Sequence, residues 1–453
     1  MGKTFNLKVE KLTYGGNGLG FKDTLAVFVP LTLPEDEIEA AWETKKKSYA
    51  LAQALQILKP SPHRAKAPCS LFGLNTKNGL SCGGCQWQMA QYQYQLEIKK
   101  ALVVEAFERI AKIEPSKLPI TDCVGAEEPW QYRNKVQYPL QRDDRGKLLL
   151  GYYARKSHQI VDLEKCPVQM SIFDTVLPKI KSLLQESAFS IYNEKSHTGL
   201  LRHLCLRASE RTGALLLALV TRQRLPQNLV DRLIGLKLPN LTGIIQNINP
   251  QKTNIIYGET NETLWGEACY HEKILNKTFQ ISATSFFQTN TTQAEKIVQD
   301  VTNHIPQKLS LAIDAFSGVG MFTLFLADRA ERVIGIEEHP LSHADALVNQ
   351  KLNNQNNIRW IKGKVEYILS STDQKPDLIF LDPPREGLKP ETKTALIRLQ
   401  PKFLVYLSCD PMTLARDIET LVSNGYQIER VVPFDLFPHT YHIETLVYLI
   451  KEK

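Results

Sequence analysis

The sequence has no run of about 20 apolar residues, the length that a membrane-spanning helix needs. The first residues, Met1 to Phe5, lack the apolar core of a secretory signal peptide. The chain also has no fixed-period repeat and no low-complexity tract. Membrane and secreted proteins are therefore not expected, and the 453 residues predict a cytoplasmic protein of two or three globular domains.

The hydrophobic pattern divides the chain into three predicted domains. Residues 1–60 contain short alternating strands, which indicate a small β-barrel of the OB type. Residues 61–280 mix strand and helix signals, typical of an α+β domain, and a helix predicted at about 88–112 is a candidate to pack on the C-terminal domain.

From residue 281 onward, apolar strands alternate with helices. This alternation predicts an α/β domain with a doubly wound, Rossmann-like parallel sheet. Strands are predicted at 309–316, 332–338, 358–362, 377–382 and 403–408. Two further strands, at 428–434 and 444–450, predict an antiparallel hairpin at the edge of that sheet.

A glycine turn over residues 311–320 follows the first of these strands, and the next strand ends at Glu337. A carboxylate there can accept both ribose hydroxyls of an adenosine. The third glycine of a dinucleotide-binding loop is missing, because Phe322 and Thr323 occupy its place. S-adenosylmethionine, which has no phosphates, fits this pattern better than a dinucleotide. An ordinary turn followed by a surface glutamate is the alternative.

The apolar run Leu404–Ser408 ends in Cys409, and Asp410 and Pro411 then favour the start of a helix. The partial positive charge of a helix N-terminus favours a thiolate over a thiol. Cys409 is therefore a candidate nucleophile. The alternative is a buried core cysteine, the commoner fate of a free cysteine.

Two carboxylates accompany Cys409. Asp382 follows a predicted strand and begins the turn Asp-Pro-Pro-Arg, and Glu444 opens the last predicted strand. Because open α/β sheets bind ligands at the carboxyl ends of their strands, Glu337, Asp382 and Cys409 are expected at one edge. Glu444 is a candidate base, since burial would raise its pKa. A plain loop and an edge-strand glutamate are the alternatives.

Five motifs together resemble the RNA 5-methyluridine methyltransferases, in the branch with an N-terminal TRAM domain and an iron–sulphur cluster. They are Ser285–Asn290, Asp314–Gly320, Asp382–Arg385, Ser408–Pro411 and His439–Glu444. The resemblance implies methyl transfer from S-adenosylmethionine to carbon 5 of a uridine. It further implies Cys409 as the nucleophile at carbon 6, Glu444 as the base, and a cofactor and uracil pocket formed by Gln288, Phe316, Glu337 and Asp382.

The layout resembles the ribosomal branch more than the transfer-RNA branch. The expected substrate is therefore 23S ribosomal RNA, with a tRNA as the alternative, and the enzyme is expected to be a monomer. An RNA cytosine carbon-5 methyltransferase shares the thiolate chemistry, but such enzymes place Pro or Thr before the nucleophile, where this chain has Ser408. A non-catalytic RNA-binding or assembly protein with the same fold is a third hypothesis.

A second signature consists of Cys69, Cys82, Cys85 and Cys166. Four thiolates with one tight Cys-x-x-Cys pair can hold either zinc or a 4Fe–4S cluster. The resemblance favours the iron–sulphur cluster, in a structural or RNA-contacting role, although the twelve residues between Cys69 and Cys82 exceed the usual spacing of the family. The remaining cysteines, Cys123, Cys205 and Cys269, have no partner at metal spacing and are expected in the core.

The middle of the chain carries the positive charge. The net charge is +9 over residues 61–280 and −3 over residues 281–453. Within the basic part, Tyr132–Lys135 and Gly151–Lys156 interleave aromatic and basic residues. Such segments suit phosphate contacts and base stacking on an unstacked RNA loop, whereas a solvated basic hairpin is the alternative.

Overall fold

The computed structural model describes residues 4–74, 76, 79–187 and 189–452. Its N-terminal part is a mixed sheet with the strand order β1-β5-β6-β4-β3-β2. The strands are β1 (Thr4–Lys8), β2 (Lys11–Leu12), β3 (Asn17–Lys22), β4 (Leu25–Pro30), β5 (Glu37–Lys45) and β6 (Tyr49–Lys59). Their inward side chains form a separate core that includes Val9, Val27, Val29 and Ile38. This sheet occupies the region predicted as an OB-like barrel, with β1 and β2 at the two ends of the strand order.

A buried carboxylate joins this sheet to the segment that follows it. Asp36 accepts hydrogen bonds from the backbone nitrogens of Leu33 (2.6 Å) and Ser61 (2.9 Å). It also accepts two from the Arg64 guanidinium, at 2.8 and 2.6 Å. Because a buried carboxylate needs such partners, Asp36 fixes the chain after β6 against the N-terminal sheet.

Helix α1 (Tyr92–Ala106) lies within the predicted helix and continues as a π-helical turn, Phe107–Ala111. Its buried side chains include Ile98, Leu102 and Val103, which share one core with Ile313 and Leu404 of the C-terminal sheet. Helix α1 therefore packs on the C-terminal domain, although it precedes that domain by about 200 residues. A 3₁₀ turn at Pro115–Lys117 follows.

The central part is a second mixed sheet, with the order β13-β12-β11-β10-β7-β8-β9. Strands β10 and β11 are almost entirely buried, because the apolar runs of both fill the middle of the sheet. The hairpin β14-β15 leads into the C-terminal domain. The elements are β7 (Lys135–Arg142), β8 (Leu148–Tyr153), β9 (Ile160–Asp162), α2 (Ser171–Glu186), β10 (Leu201–Ala208), β11 (Leu215–Thr221), α3 (Gln227–Gly235), β12 (Leu241–Ile248), β13 (Thr260–Gly266), β14 (Cys269–Ile274) and β15 (Lys277–Ser282).

The C-terminal part is a sheet with the order β18-β17-β16-β19-β20-β22-β21. Its first five strands in that order are parallel and lie within two residues of their predicted positions. The elements are α4 (Thr291–His304), β16 (Leu309–Ala315), α5 (Met321–Leu326), β17 (Ala330–Glu337), α6 (Pro340–Leu352), β18 (Ile358–Lys362), α7 (Val365–Ser371), β19 (Leu378–Leu381), α8 (Pro390–Leu399), β20 (Phe403–Ser408), α9 (Pro411–Val422), β21 (Tyr426–Phe434) and β22 (Glu444–Lys451).

The closing hairpin differs from a simple edge addition. Strand β22 inserts between β20 and β21 and is antiparallel to both. Of the two hairpin strands, β21 therefore forms the edge of the sheet and β22 lies inside it. The start of β22 consequently meets the end of β20. Of the helices in the described part of the chain, none has the length and hydropathy that crossing a bilayer would require.

Candidate active site

Cys409 and Glu444 face each other at the ends of two neighbouring strands. Ser408, the last residue of β20, pairs with Thr445 of β22. Continuing this antiparallel register by one residue places Cys409 opposite Glu444, a separation at which side chains interact. The insertion of β22 beside β20 is therefore the feature that brings the two together.

The start of α9 holds Cys409 in place. The Asp410 carboxylate accepts hydrogen bonds from the backbone nitrogens of Met412 (2.9 Å) and Thr413 (3.1 Å), which makes it the N-cap. From the N-terminal sheet, the Tyr14 hydroxyl donates to the other Asp410 oxygen at 3.1 Å. The helix cap that follows Cys409 is thus supported by a residue from the opposite end of the chain.

The sequence predicted that the helix N-terminus favours the thiolate of Cys409, and this prediction was wrong in direction. Burial, together with the nearby Glu444 and Asp382, raises the pKa of the Cys409 thiol to about 12, although Arg385 opposes this effect. A helix end contributes only a partial charge, whereas removing water from a thiolate next to two carboxylates costs more. In the free protein Cys409 is therefore held as a thiol.

Glu444 is a buried carboxyl group. Burial and the neighbouring Asp382 raise its pKa well above the ordinary value, while Arg385 and Lys99 act in the opposite direction. Burial also raises the pKa of Asp382 to about 7. Two acids that hold protons unusually tightly thus lie beside the thiol, as expected for groups that exchange protons.

The glycine turn adjoins this cluster. The backbone nitrogen of Gly318 donates to Glu337 at 2.7 Å, which joins the turn after β16 to the end of β17. Gly320 has a φ of 90°, and a Cβ there would meet the Trp360 ring at 2.7 Å, so only glycine fits. Phe316 also has a positive φ, of 71°. A Cβ on Gly318 would meet nothing within 4 Å, which leaves space for a ligand beside the turn.

A third buried acid connects the turn with the cysteine. Burial, Asp382 and Glu337 raise the pKa of Asp314 to about 8, although Thr323 donates a hydrogen bond to it at 2.5 Å. Asp314, Asp382 and Glu337 therefore share one neighbourhood, and Asp382 extends it to Cys409. Gln288 lies in another segment, before α4, where it is buried and its carbonyl accepts a hydrogen bond from Asn134 at 3.0 Å.

Sequence reasoning missed Tyr14 and Lys99, which reach the site from outside the C-terminal sheet. Lys99, on α1, is completely buried and bound to Asp435 at 2.5 Å. Tyr14 belongs to a glycine-rich turn and Lys99 to a helix with two consecutive lysines, and neither has a local signal of function. The only available hint was that helix α1 was a candidate to pack on the C-terminal domain.

Comparison with known proteins identifies the family. A model of the tRNA (uracil-5-)-methyltransferase family matches residues 271–452. An uncharacterized RNA methyltransferase of Halalkalibacterium halodurans is 36% identical over 448 residues, covering 97% of this chain and 95% of that protein. Another, of Synechocystis, is 37% identical over 454 residues, covering 99% and 96%. The chain belongs to the RNA uracil-5-methyltransferase family.

A solved structure extends the comparison to the fold. The Pyrococcus abyssi tRNA (uracil-54, C5)-methyltransferase, in complex with S-adenosyl-L-homocysteine, matches with a TM-score of 0.77 and 27% identity, covering 98% of this chain and all of that one. The prediction of an α/β fold of the S-adenosylmethionine-dependent methyltransferases is confirmed. As a member of the RNA uracil-5-methyltransferase family, the present chain uses S-adenosylmethionine and acts on RNA.

The cysteine signature of this methyltransferase gathers in the central part. Burial raises the pKa of each of these thiols most; in addition, Cys82 and Cys69 raise that of Cys166, and Cys166 and Cys82 raise that of Cys85, so the four thiols share one neighbourhood. Within the described residues, however, no three His, Cys, Asp or Glu side chains are arranged to hold a metal ion. The thiols are thus neighbours at a wider spacing than ligands of one ion. Of the other cysteines, Cys123 and Cys205 are buried and Cys269 is partly exposed.

A basic cleft of about 630 Å³ runs beside this cysteine loop. Its walls come from the turn of the N-terminal sheet, the loop around Gly83 and Gly84, and the hairpin 152–158. Arg155 lines it, and its Nη1 has no hydrogen-bond partner within the described residues. The cleft therefore combines aromatic and basic side chains, and Glu43 lies near the basic ones, 3.9 Å from the Lys156 ammonium.

Proposed function

We propose that this enzyme methylates carbon 5 of a uridine in RNA through a covalent intermediate on Cys409. The observation that carries the proposal is the closeness of Cys409 to Glu444, one residue beyond the Ser408–Thr445 pair of β20 and β22 and next to the glycine turn. Uracil carbon 5 is a poor nucleophile until a thiolate adds to carbon 6. A nucleophile and a base at one sheet edge provide the two groups that this chemistry requires.

The reaction has three steps in this proposal. The Cys409 thiol loses its proton to a neighbouring carboxylate, and the sulphur forms a bond to carbon 6 while the carbon 5–carbon 6 double bond becomes an enolate. Carbon 5 then takes the methyl group, and S-adenosylhomocysteine leaves with the electron pair of the broken sulphur–methyl bond. Finally, the Glu444 carboxylate removes the carbon 5 proton, the double bond re-forms, and the carbon 6–sulphur bond breaks to release the thiolate.

Two substitutions test these roles. Cys409→Ala is expected to abolish transfer of labelled methyl groups from S-adenosylmethionine to RNA, because no adduct can form. Glu444→Gln is expected to accumulate a methylated protein–RNA adduct that survives denaturing electrophoresis. Cys269→Ala, on β14, is the matched control and should retain activity. Undiminished transfer by Cys409→Ala would exclude the covalent mechanism.

We infer that the donor lies against the glycine turn, with Glu337 accepting its ribose hydroxyls and with Phe316, Asp382 and Gln288 lining the cofactor and uracil pocket. The open space beside Gly318 and the carboxylate that already meets this turn support the assignment. Glu337→Ala should weaken S-adenosylmethionine binding in calorimetry, whereas Glu338→Ala should not. Equal affinities of the two variants would contradict it.

We propose 23S ribosomal RNA as the substrate, bound along the basic cleft, with Arg155 and Lys156 on its phosphates. A tRNA is the second candidate, because the matching family model and the Pyrococcus abyssi enzyme are both named for tRNA. Methyl transfer to unmodified ribosomal RNA and to tRNA transcripts, each measured with wild type and with the Arg155→Ala variant, separates the two. Mapping 5-methyluridine in a deletion strain would then give the site.

We also propose that Cys69, Cys82, Cys85 and Cys166 hold a 4Fe–4S cluster when the enzyme is loaded. The support is the donor set itself, since four neighbouring thiols are the usual ligands of such clusters. The cluster enters no step of the methyl transfer proposed above. Iron and sulphide analysis of anaerobically purified protein tests this: about four irons per chain are expected, and zinc or no metal would overturn it.

We propose the domain boundaries 1–60, 61–280 and 281–453. The three large sheets support them: β6 ends at Lys59, just before the first boundary, and the second boundary falls within two residues of the end of β15 at Ser282. Helix α1 belongs to the middle segment by sequence and packs on the last one. Limited proteolysis with cleavage confined to the segments after β6 and after β15 would agree with the division, and preferred cleavage inside one of the three large sheets would contradict it.

A further inference from the structure

Lys99 is a fully buried lysine whose hydrogen bonds all go to one short segment. Its ammonium donates to Asp435 Oδ1 at 2.5 Å, to the His442 carbonyl at 2.7 Å and to the Phe437 carbonyl at 3.3 Å. An ammonium has three donors, so each is used. The bonded groups lie at both ends of residues 435–442, the segment between β21 and β22 that leads directly to Glu444.

The same segment is held at its middle by neighbours of Lys99. Gln95, one turn earlier on the same face of α1, accepts a hydrogen bond from the His439 nitrogen at 3.0 Å. The backbone nitrogens of Gln86 and Trp87 both donate to the His439 carbonyl at 3.0 Å. Trp130 stacks on the His439 ring at 3.6 Å. The segment before Glu444 is thus shaped largely by residues outside the C-terminal sheet.

Lys99 also acts on Glu444 through its charge. The charged and titratable groups that face Glu444 are Cys409, Asp382, Arg385 and Lys99. Asp382 raises the pKa of Glu444, whereas Arg385 and Lys99 lower it. A base must be ionised when it takes a proton, so the buried ammonium favours the active form.

We propose that Lys99 is a positioning residue for Glu444: it fixes residues 435–442 so that the carboxylate meets carbon 5 of the bound uracil. The proposal rests on the proposed role of Glu444 as the base. A lysine suits this task because an unpaired buried ammonium is very unfavourable. It therefore tolerates only the arrangement in which Asp435 and the two carbonyls surround it.

The test separates formation of the covalent adduct from its breakdown. In single-turnover reactions with labelled S-adenosylmethionine and the RNA substrate, the Lys99→Met/Asp435→Asn double variant removes both charges with little change in shape. It is expected to form the methylated adduct at nearly the wild-type rate and to release RNA about a hundredfold more slowly. The pH profile of release should shift to higher pH. Lys100→Met, whose lysine pairs with Asp122 at the exposed face of the same helix, is the matched control and should behave as wild type.

Other outcomes would overturn the proposal. If the double variant has the wild-type melting temperature and releases RNA at the wild-type rate, Lys99 does not position the base. Equal slowing of adduct formation and release would indicate a structural role alone. Lys99→Arg keeps the positive charge, so its pH profile should stay at that of wild type even if its rates fall. Release of RNA by Glu444→Gln at the wild-type rate would instead refute the assignment of Glu444 as the base. Because this outcome is measured in a different variant, it is distinguishable from a failure of the proposal for Lys99.

Discussion

The two sides of the proposed active site, the cofactor side and the base side, are built in opposite ways. The cofactor side is local, because Thr323 donates a hydrogen bond to Asp314 across 9 residues and the Gly318 nitrogen donates one to Glu337 across 19. The base side is assembled from distant segments. Lys99 reaches Asp435 across 336 residues, and Tyr14 reaches Asp410 across 396.

This difference indicates how each side responds to change. A turn closed by its own neighbours is fixed by local backbone geometry, so its sensitivity is concentrated at residues such as Gly320. A loop held from other domains depends on long-range packing, and residues far from Glu444 in sequence control it. Four measurements can test this contrast between the two sides.

The largest expected effect is on stability at the base side. Asp435→Ala leaves the completely buried Lys99 without its counter-ion, which should lower the free energy of unfolding by about 3–5 kcal/mol. Chemical denaturation monitored by circular dichroism measures this change. Asp122→Ala, which removes the exposed partner of Lys100, should leave the midpoint unchanged. Similar midpoints for both variants would show that the base side is not held by the buried pair.

The second prediction concerns pH. Cys409 must lose its proton to react, and its pKa is raised to about 12. The neighbouring carboxylate that takes this proton must itself be ionised, and burial raises the pKa of Asp382 to about 7, so adduct formation should accelerate as the pH rises through that range. Ionisation of Glu444, whose pKa is also raised, changes release in the same direction. Single-turnover rates between about pH 6 and 9 test this, and a flat profile would contradict it.

The third prediction tests the cofactor side. Gly320→Ala places a Cβ 2.7 Å from the Trp360 ring at a φ of 90°. It should cost about 1–2 kcal/mol and weaken S-adenosylmethionine binding by about tenfold, as calorimetry can determine. Gly146→Ala, at a φ of 77° with nothing within 4 Å of the added Cβ, is the control for backbone strain alone. Its affinity for the donor should equal that of wild type.

The smallest effect is expected for Tyr14→Phe. The variant loses the 3.1 Å hydrogen bond to Asp410 but keeps the ring that packs edge-on against Tyr441. Adduct formation should slow by roughly fivefold, equivalent to about 1 kcal/mol. Tyr49→Phe, on β6, is the control. An unchanged rate for Tyr14→Phe would separate the N-terminal sheet from the chemistry.

The sequence predicted the local side far better than the distant one. Apolar runs mark β16, β17, β19 and β20, so the edge that carries Asp314, Glu337, Asp382 and Cys409 could be read directly. The hairpin was predicted too, but not the insertion of β22 beside β20. That pairing is a long-range choice, and it decides which residue stands opposite Cys409.

The sequence did not show which of the polar and charged side chains are buried. The helix start after Cys409 suggested a thiolate, but the desolvation that favours the thiol comes from packing of several segments. Lys99 and Lys100 look alike in sequence, yet one is fully buried and the other is a third exposed. Lys99 lies on the buried face of α1, with Leu96 and Val103, where residues 435–442 cover it, whereas Lys100 lies outside that face.

The contact between Lys99 and Asp435 has a consequence for biosynthesis. A ribosome adds about 5–20 residues per second, so roughly 17–67 seconds separate the emergence of these two partners, which are 336 residues apart. Throughout that interval Lys99 lacks its counter-ion, and the apolar face of α1 has no partner until the C-terminal strands that carry Ile313 and Leu404 emerge. Nascent chains stalled before the final hairpin should therefore bind chaperones readily. A premature stop codon near the end of the gene should be as damaging as one near the start.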